Sequence, residues 1–224
     1  MTGACRLSKT QILSAILVVI IIGTLTAYAY TNANDALKDS VKMGMKSTAG
    51  VMATQINASD LAKFKPGDDA TPAYLATTRQ LRNMRSMDDH ILNAYILRVN
   101  KDKTITFLVD DLAEYDPQGS AKIGEVSTAP DKLAILSALS GPSTSPEPYT
   151  TKYGSFISAY APIDDASVGS DGNTYAILAI DMTARDYNAY TSKGTLILLT
   201  GLISMVIAVG AIFWFGRREE KKSE

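Results

Sequence analysis

A single histidine, His90, set beside Asp88 and Asp89, is the one imidazole this chain of 224 residues offers for acid–base chemistry. Its position at the expected end of a helix makes it a solvated or structural histidine. Carboxylate pairs recur at Asp110-Asp111 and Asp164-Asp165, in segments read as loops, where solvation or turn formation accounts for them. There is no Gly-x-Ser-x-Gly elbow, no metal-spaced His/Cys set and no phosphate-binding glycine loop. The expectation is a protein that is not an enzyme and carries no cofactor. A binding surface has better support. Tyr95, Arg98, Phe107, Tyr149, Tyr153, Ser155, Ser158, Tyr160 and Asp181 lie in or beside strand-like runs, and small-molecule pockets are made of such aromatic walls with a few fixed polar groups. Alternation puts Tyr95, Leu97 and Val99 on one strand face and Ile96 and Arg98 on the other, so Tyr95 and Arg98 need not line one pocket. Arg98 is open to two readings, a fork for a ligand carboxylate or a salt bridge to a loop acid.

The elements that would position these residues lie between two apolar stretches. Residues 12–30 and 195–215 contain no charged side chain, and each is long enough, at about 20 residues, to cross a bilayer core as a helix. The first is too long and too evenly apolar for an ordinary signal-peptide core, although Ala27-Tyr28-Ala29 imitates a cleavage site. Trp214 and Phe215 end the second where an aromatic belt would sit. Arg6 and Lys9 flank the first stretch, and Arg217, Arg218, Lys221 and Lys222 follow the second. The positive-inside rule therefore places both termini in the cytoplasm. The expected organisation is a cytoplasmic N-terminus at 1–11, a span at 12–30, an extracytoplasmic domain at 31–193, a span at 195–215 and a cytoplasmic tail at 216–224. Lone Cys5 then lies on the cytoplasmic side as a reduced thiol and has no partner within the chain. A formal net charge of -1 offers a phosphate backbone no basic surface, so nucleic acid is not an expected partner.

Within the outer domain, Leu37, Val41, Met45, Met52 and Ile56 follow the helical period, so a helix continues out of the first span to about Leu61, with Gly50 as a candidate break. Asn57-Ala-Ser59 is either a glycosylation sequon or an unmodified turn and helix cap. Thr71-Pro72 opens a second helix with Leu75, Leu81, Met84 and Met87 as its buried stripe and Arg79, Arg82 and Arg85 as a solvated face. Residues 91–99 and 104–110 form a hairpin, 110–130 a long loop, and 131–139 a short helix stopped by Gly141-Pro142. A strand over 149–163 with a bulge at Gly154, a turn over 164–173 and a strand over 174–182 complete the set. The order predicts an α+β domain.

Gly141-Pro-Ser-Thr-Ser-Pro-Glu-Pro-Tyr-Thr, then Tyr153-Gly-Ser-Phe-Ile-Ser-Ala-Tyr-Ala-Pro-Ile and Ala179-Ile-Asp-Met, resemble the second half of a Cache (PDC) domain, the PAS-like family of extracellular sensors. Ala161-Pro-Ile163 and Ile180-Asp-Met182 stand where relatives have Ala-Pro-Ile and Gly-Val-Asp-Ile. The resemblance covers roughly 34–187, and family members often carry Trp near the position of Tyr153. It implies a PAS-like antiparallel sheet with a long N-terminal helix, flanked by two transmembrane helices. It also implies a pocket on the sheet face beneath the long loop, with Asp181 contacting an amine; read from its neighbours alone, Asp181 is equally a cap for a helix starting near Thr183. Family members usually continue past the second span into an output module, whereas this sequence ends nine residues after Phe215. The expected function is a sensor of an amino acid, amine or carboxylate that relays occupancy to a separate membrane or cytoplasmic signalling protein. The alternatives are a structural or assembly subunit and a solute-binding accessory of a membrane complex. Gly23-x-x-x-Ala27 and Ser204-x-x-x-Ala208 allow close helix contact, in a homodimer or with a partner span.

Overall fold

Helix α1 runs unbroken from Lys9 to Ala53 in the computed structural model, which describes residues 8–167 and 175–220. Gly50 causes no break. A mid-helix glycine costs about 1 kcal/mol, and here the face carrying Met45, Ala49, Met52 and Ala53 is buried. The helix ends earlier than its period suggests, because Ile56 is buried from a turn and Asn57 caps a separate helix, α2 (Ala58–Leu61), by accepting from the Ser59 N–H at 3.0 Å. Two compact units result: residues up to Lys38 with those from Thr191 onward, and Asp39–Tyr190.

The second unit is α+β. Helix α3 (Pro72–Arg85) starts as expected, with proline in its first turn and Thr71 accepting from the Tyr74 N–H. Its buried stripe is Tyr74, Thr78 and Leu81, while Met87 lies past the helix and is 84% exposed. Strands β1 (Asn93–Val99) and β2 (Ile105–Asp110) form the expected hairpin. Helix α4 (Lys132–Ser137) follows and continues as a tighter turn over Ala138–Ser140. The long strand expected over 149–163 is two: β4 (Tyr149–Thr151) and β5 (Gly154–Ser167) pair antiparallel across a tight turn. Gly154 makes the turn, not a bulge. Its φ is 140°, and a Cβ there would lie 2.6 Å from the Phe156 ring. A short strand that the sequence did not announce, β3 (Ser143–Thr144), also pairs with β5. Asp164 and Asp165 lie in β5, not in a turn; residues 168–174 of the expected turn, like Cys5, Arg6, Lys221 and Lys222, lie outside the described residues. Strand β6 (Tyr175–Thr183) returns.

The sheet order is β2-β1-β6-β5-β3, with β4 also on β5. Strand β6 is therefore central and covered on both faces, which explains its almost continuous burial from Ala176 to Met182. On one face Ile96, Ala159, Leu178 and Ile180 pack with Met45 and Met52 of α1 and Leu81 of α3. On the other, Leu97, Tyr160, Ile177 and Ala179 pack with Ile135 of α4 and Ala138.

Helix α5 (Ala184–Thr191), which belongs to the second unit up to Tyr190, gives way at a tighter turn, Ser192–Gly194, to α6 (Thr195–Glu220), so the chain from Ala184 onward is not one continuous α-helix. The first part of α1 and α6 are antiparallel: Gly194 meets Tyr30, Gly201 meets Thr26, and Gly23 meets Met205. At Gly201 a Cβ would fall 2.3 Å from the Thr26 side chain. Glycine lets the two backbones approach. Of the residues singled out for close contact, Gly23 and Ala208 are half-buried and Ala27 and Ser204 are exposed. Outward side chains such as Leu13, Leu25, Leu196 and Val206 are more than half exposed. Both helices are long and apolar enough to cross a membrane.

Of the arginines of α3, Arg79 is exposed as expected, but Arg82 and Arg85 are not part of a solvated face. Arg79 and Arg82 both grip Glu114, and Arg85 donates to Asp111, whose side chain is fully buried. Breaking a buried pair leaves a bare charge, which costs about 3–5 kcal/mol. Arg85→Met is expected to destabilise the chain by that order in urea or thermal unfolding, whereas Arg79→Met, which removes the most exposed of the three contacts, is expected to leave the unfolding transition nearly unchanged.

Candidate functional site

A cavity of about 550 Å³ opens on the sheet face opposite α1, under the loop that follows β2. Tyr95 of β1 and Phe107 of β2 form its aromatic wall, with ring centroids 5.4 Å apart, and Tyr153 meets Phe107 edge-on at 6.0 Å. Tyr149 of β4 and Phe156 of β5 add to the lining, and Ser127, Thr128 and Ala129 of the loop contribute as well. Asp181 sits in this lining, on the central strand, 4% exposed.

Sheet register supplies its partners. Asn93 of β1 and Ser158 of β5 are the residues directly beside Asp181 on the flanking strands, forming one polar rung across three central strands. Ser158 Oγ donates to Asp181 Oδ1 at 2.5 Å, the Tyr95 hydroxyl donates to the same oxygen at 3.1 Å, and the Asn93 side chain also bonds the carboxyl. Behind Ser158 a chain of hydroxyls continues. Tyr149 Oη lies 2.6 Å from Ser158 Oγ and 3.2 Å from Tyr160 Oη, which lies 2.6 Å from Asp131 Oδ2. Burial pushes the Asp181 carboxyl up to about 7, although the bonds from Ser158, Tyr95 and Asn93 pull the other way. Burial likewise raises Asp131 and holds the hydroxyls of Tyr95 and Tyr160 well above the ordinary phenol range.

The remaining charges of the lining are already engaged. Asp110 accepts the Leu112 and Ala121 N–H groups, and burial raises it to about 6. Arg85 is held by Asp111, and Asp116 accepts the Gly119 N–H. Lys152 pairs with Glu125 at 2.8 Å, and Glu125 also accepts the Tyr153 hydroxyl at 2.5 Å, so the loop and the β4–β5 turn are tied together. Asp110 and Asp111 are thus buried anchors of the loop, not solvated turn-makers, because their carboxylates satisfy backbone donors that the loop cannot pair in a ladder. Such a wall, aromatic with the carboxylates of Asp181, Asp110 and Asp116 unpaired by any cation among the described residues, suits a positively charged solute.

No protein-family model matches the chain, and no curated protein matches it. Among solved structures, the ligand-binding domain of the Campylobacter jejuni chemoreceptor Tlp3, determined in complex with L-norvaline, is similar at 15% identity and a TM-score of 0.39. The likeness covers 77% of this chain and 63% of that one, so the chain spans less than two thirds of its length.

Of the residues singled out from sequence, Tyr95, Phe107, Tyr149, Tyr153 and Asp181 share the cavity. Ser158 and Tyr160 stand behind it, fully buried and bonded into the Asp181 chain. Ser155 bonds Thr150 instead. Arg98 is on the opposite sheet face, donating to the Phe64 carbonyl at 3.1 Å with its Nε buried. It neither forks into the cavity nor pairs with a loop acid among the described residues. Asp181 is not a helix cap: Thr183 accepts the Asp186 N–H at 3.0 Å and opens α5. Asn93, Asp131 and Phe156 are not singled out by the sequence, and Asp110 is expected from it only as a solvated loop acid. Asn93 is announced only by strand register, which no local pattern encodes.

An acid with a higher pKa in the folded than in the unfolded chain binds its proton better when folded, so its stabilising effect is present at low pH and lost as pH rises to the folded value. For Asp181 the window runs from the ordinary 3.8 to about 7. Asp181→Asn is expected to remove a stability contribution that declines across that window by up to about 1.4 kcal/mol per pH unit. Unfolding of both proteins over a pH series checks it: the wild-type advantage over the variant must shrink, not grow, with rising pH.

Proposed function

We propose that the unit spanning Asp39–Tyr190 binds a small solute through an ammonium group, and that the chain is a membrane-anchored sensor. The observation that carries this reading is Asp181 in an aromatic cavity whose cations, Arg85 and Lys152, are already paired with other acids. An ammonium stacked against Tyr95, Phe107 and Tyr153 and paired with Asp181 would gain both cation–π and ionic attraction in a desolvated site. Amines and amino acids fit. A carboxylate alone does not, because Arg85 and Lys152 are held by Asp111 and Glu125. A polar-lined cavity is also what an assembly subunit using this sheet as a mere docking face would lack.

The anchoring reading rests on the exposed apolar surface of the two helices and the basic residues flanking them. In it, residues 12–30 and 195–215 are spans, 31–193 lie outside, and both termini are cytoplasmic. A ligand that binds one arrangement of the spans better than another shifts their populations by its differential affinity. The strand bearing Asp181 ends two residues later at Thr183, where α5 begins. Occupancy would reach a membrane or cytoplasmic signalling protein by that route.

A thermal-shift screen of the detergent-solubilised chain tests the site against free amino acids, primary amines, their N-acetylated forms and dicarboxylates. At a hundredfold excess over Kd, about 2.7 kcal/mol of stabilisation is expected. Stabilisation must come from members with a free amine, vanish on N-acetylation and in Asp181→Asn, and persist in Arg98→Lys. Equal shifts from N-acetylated members, or an unaltered response in Asp181→Asn, overturn the assignment. Topology is checked with a membrane-impermeant maleimide on intact cells. Cys5 is expected to stay unlabelled until permeabilisation, whereas Ser47→Cys, at an exposed position of α1, labels at once.

A further inference from the structure

The chain Asp181–Ser158–Tyr149–Tyr160–Asp131 has four links and three hydroxyls. Each hydroxyl donates one proton. With both carboxylates ionised, three protons must serve four links, and one link becomes lone pair against lone pair. One further proton, on either acid, satisfies all four. The end that holds it is set by the rest of the structure. Asp181 receives Tyr95 and Asn93 in addition to Ser158, whereas Asp131 Oδ1 is buried without a hydrogen-bond partner. A bare carboxylate oxygen out of water is far more costly than the carbonyl oxygen of a neutral acid.

We propose that Asp131 and Asp181 share a single proton along this chain, resting on Asp131, so that Asp131 acts as a positioning residue that keeps the negative charge on Asp181. In the resting arrangement Asp131 donates to Tyr160, Tyr160 to Tyr149, Tyr149 to Ser158 and Ser158 to Asp181. The opposite arrangement forms when each donor passes its proton one oxygen along: Asp131 to Tyr160, Tyr160 to Tyr149, Tyr149 to Ser158, Ser158 to Asp181. Asp131 is then ionised, Asp181 is neutral and no proton enters or leaves. The charged and titratable groups around Asp181 are Tyr95 of β1, Tyr149 of β4, Asp110 at the end of β2, Arg85 of α3, and Asp116, Lys152 and Tyr153, whose hydroxyl donates to Glu125, at the cavity edge. Of these Arg85 and Lys152 are tied to other acids and Asp110 and Asp116 to backbone donors, so none supplies a proton to the chain. For the ligand, and resting on the amine reading above, an ammonium at Asp181 holds the proton at Asp131, whereas a neutral acceptor draws it to Asp181.

Infrared spectroscopy of the full chain in lipid, with carbon-13 in the aspartate side chains, reads protonated aspartic acid directly and needs no ligand. Its result is therefore independent of the amine screen. At neutral pH the wild type is expected to show the carbonyl band of one protonated aspartic acid shared by this pair. Asp131→Asn and Asp181→Asn must each lose it entirely, because an amide donates into the chain in place of the proton. Tyr149→Phe must lose it too, although it touches neither acid's own covalent structure, because two links then remain for two hydroxyls. Simple burial predicts the reverse for Tyr149→Phe, since a less polar neighbour favours the neutral acid. The amide bands of the same spectra report whether the strands are intact, and Ser158→Ala, which cuts the chain by the same count, replaces any variant that loses them. Survival of the band in any folded member of the set, or its absence from the wild type, overturns the proposal.

Discussion

A carboxyl group buried at the centre of a β-sheet has to be solvated by protein, and most of the site follows from that demand. Asp181 lies on β6, the strand with neighbours on both sides and layers on both faces, so water does not reach it from the flanks. Its solvation comes instead from the two residues beside it in register, Asn93 and Ser158, and from the Tyr95 hydroxyl. Leaving such a group unpaired costs several kcal/mol. That cost makes the polar rung an energetic liability in a sheet whose other positions on β6 are mostly Ala, Ile and Leu, and the rung borders the cavity.

The roof of the cavity is held by side-chain acids together with a short run of backbone bonds to β2. The loop from Asp111 to Pro130 has little regular structure, yet its backbone donors are met by side-chain acids: Ala121 by Asp110 and Ile123 by Asp69, at 2.8 and 3.0 Å. Glu114 is clamped by two arginines of α3, and Phe107 of β2 exchanges backbone bonds with Gly124 and Glu125. A loop secured at so many points is a wall, and its side chains keep fixed positions over the strands. Lys152, Glu125 and Tyr153 close the arrangement at the rim, where partial exposure makes their contacts individually weak.

In the helical unit the physical problem is the opposite one. The outward faces of α1 and α6 are apolar and uncovered, and only a narrow seam, with Thr26, Tyr30, Gly194 and Gly201 in it, is packed. Burying about 25 cal/mol per Å² of apolar surface favours lipid for such faces by a wide margin. Within the seam, small residues at Gly23 and Gly201 matter through backbone approach.

By itself the sequence determined the things that local pattern encodes: two long apolar helices, the Thr71-Pro72 start, the β1–β2 hairpin, the α+β class and an aromatic supply for a pocket. Helical and strand periods, caps and span length depend on neighbours in the chain, and those are all visible there. It failed where the outcome depends on residues far apart. Arg82 and Arg85 looked solvated until Glu114 and Asp111 were brought to them, and Asp110 looked like a turn residue until Ala121 folded over it. Arg98 and Asp181 are both polar residues in strands, and only register and sheet face separate an arginine spent on the Phe64 carbonyl from an acid beside Asn93 and Ser158. Asp131 was an unremarked helix start. Its link to the cavity runs through three hydroxyls from two strands, and a connection of that kind exists only once β4 and β5 are paired and laid against β6.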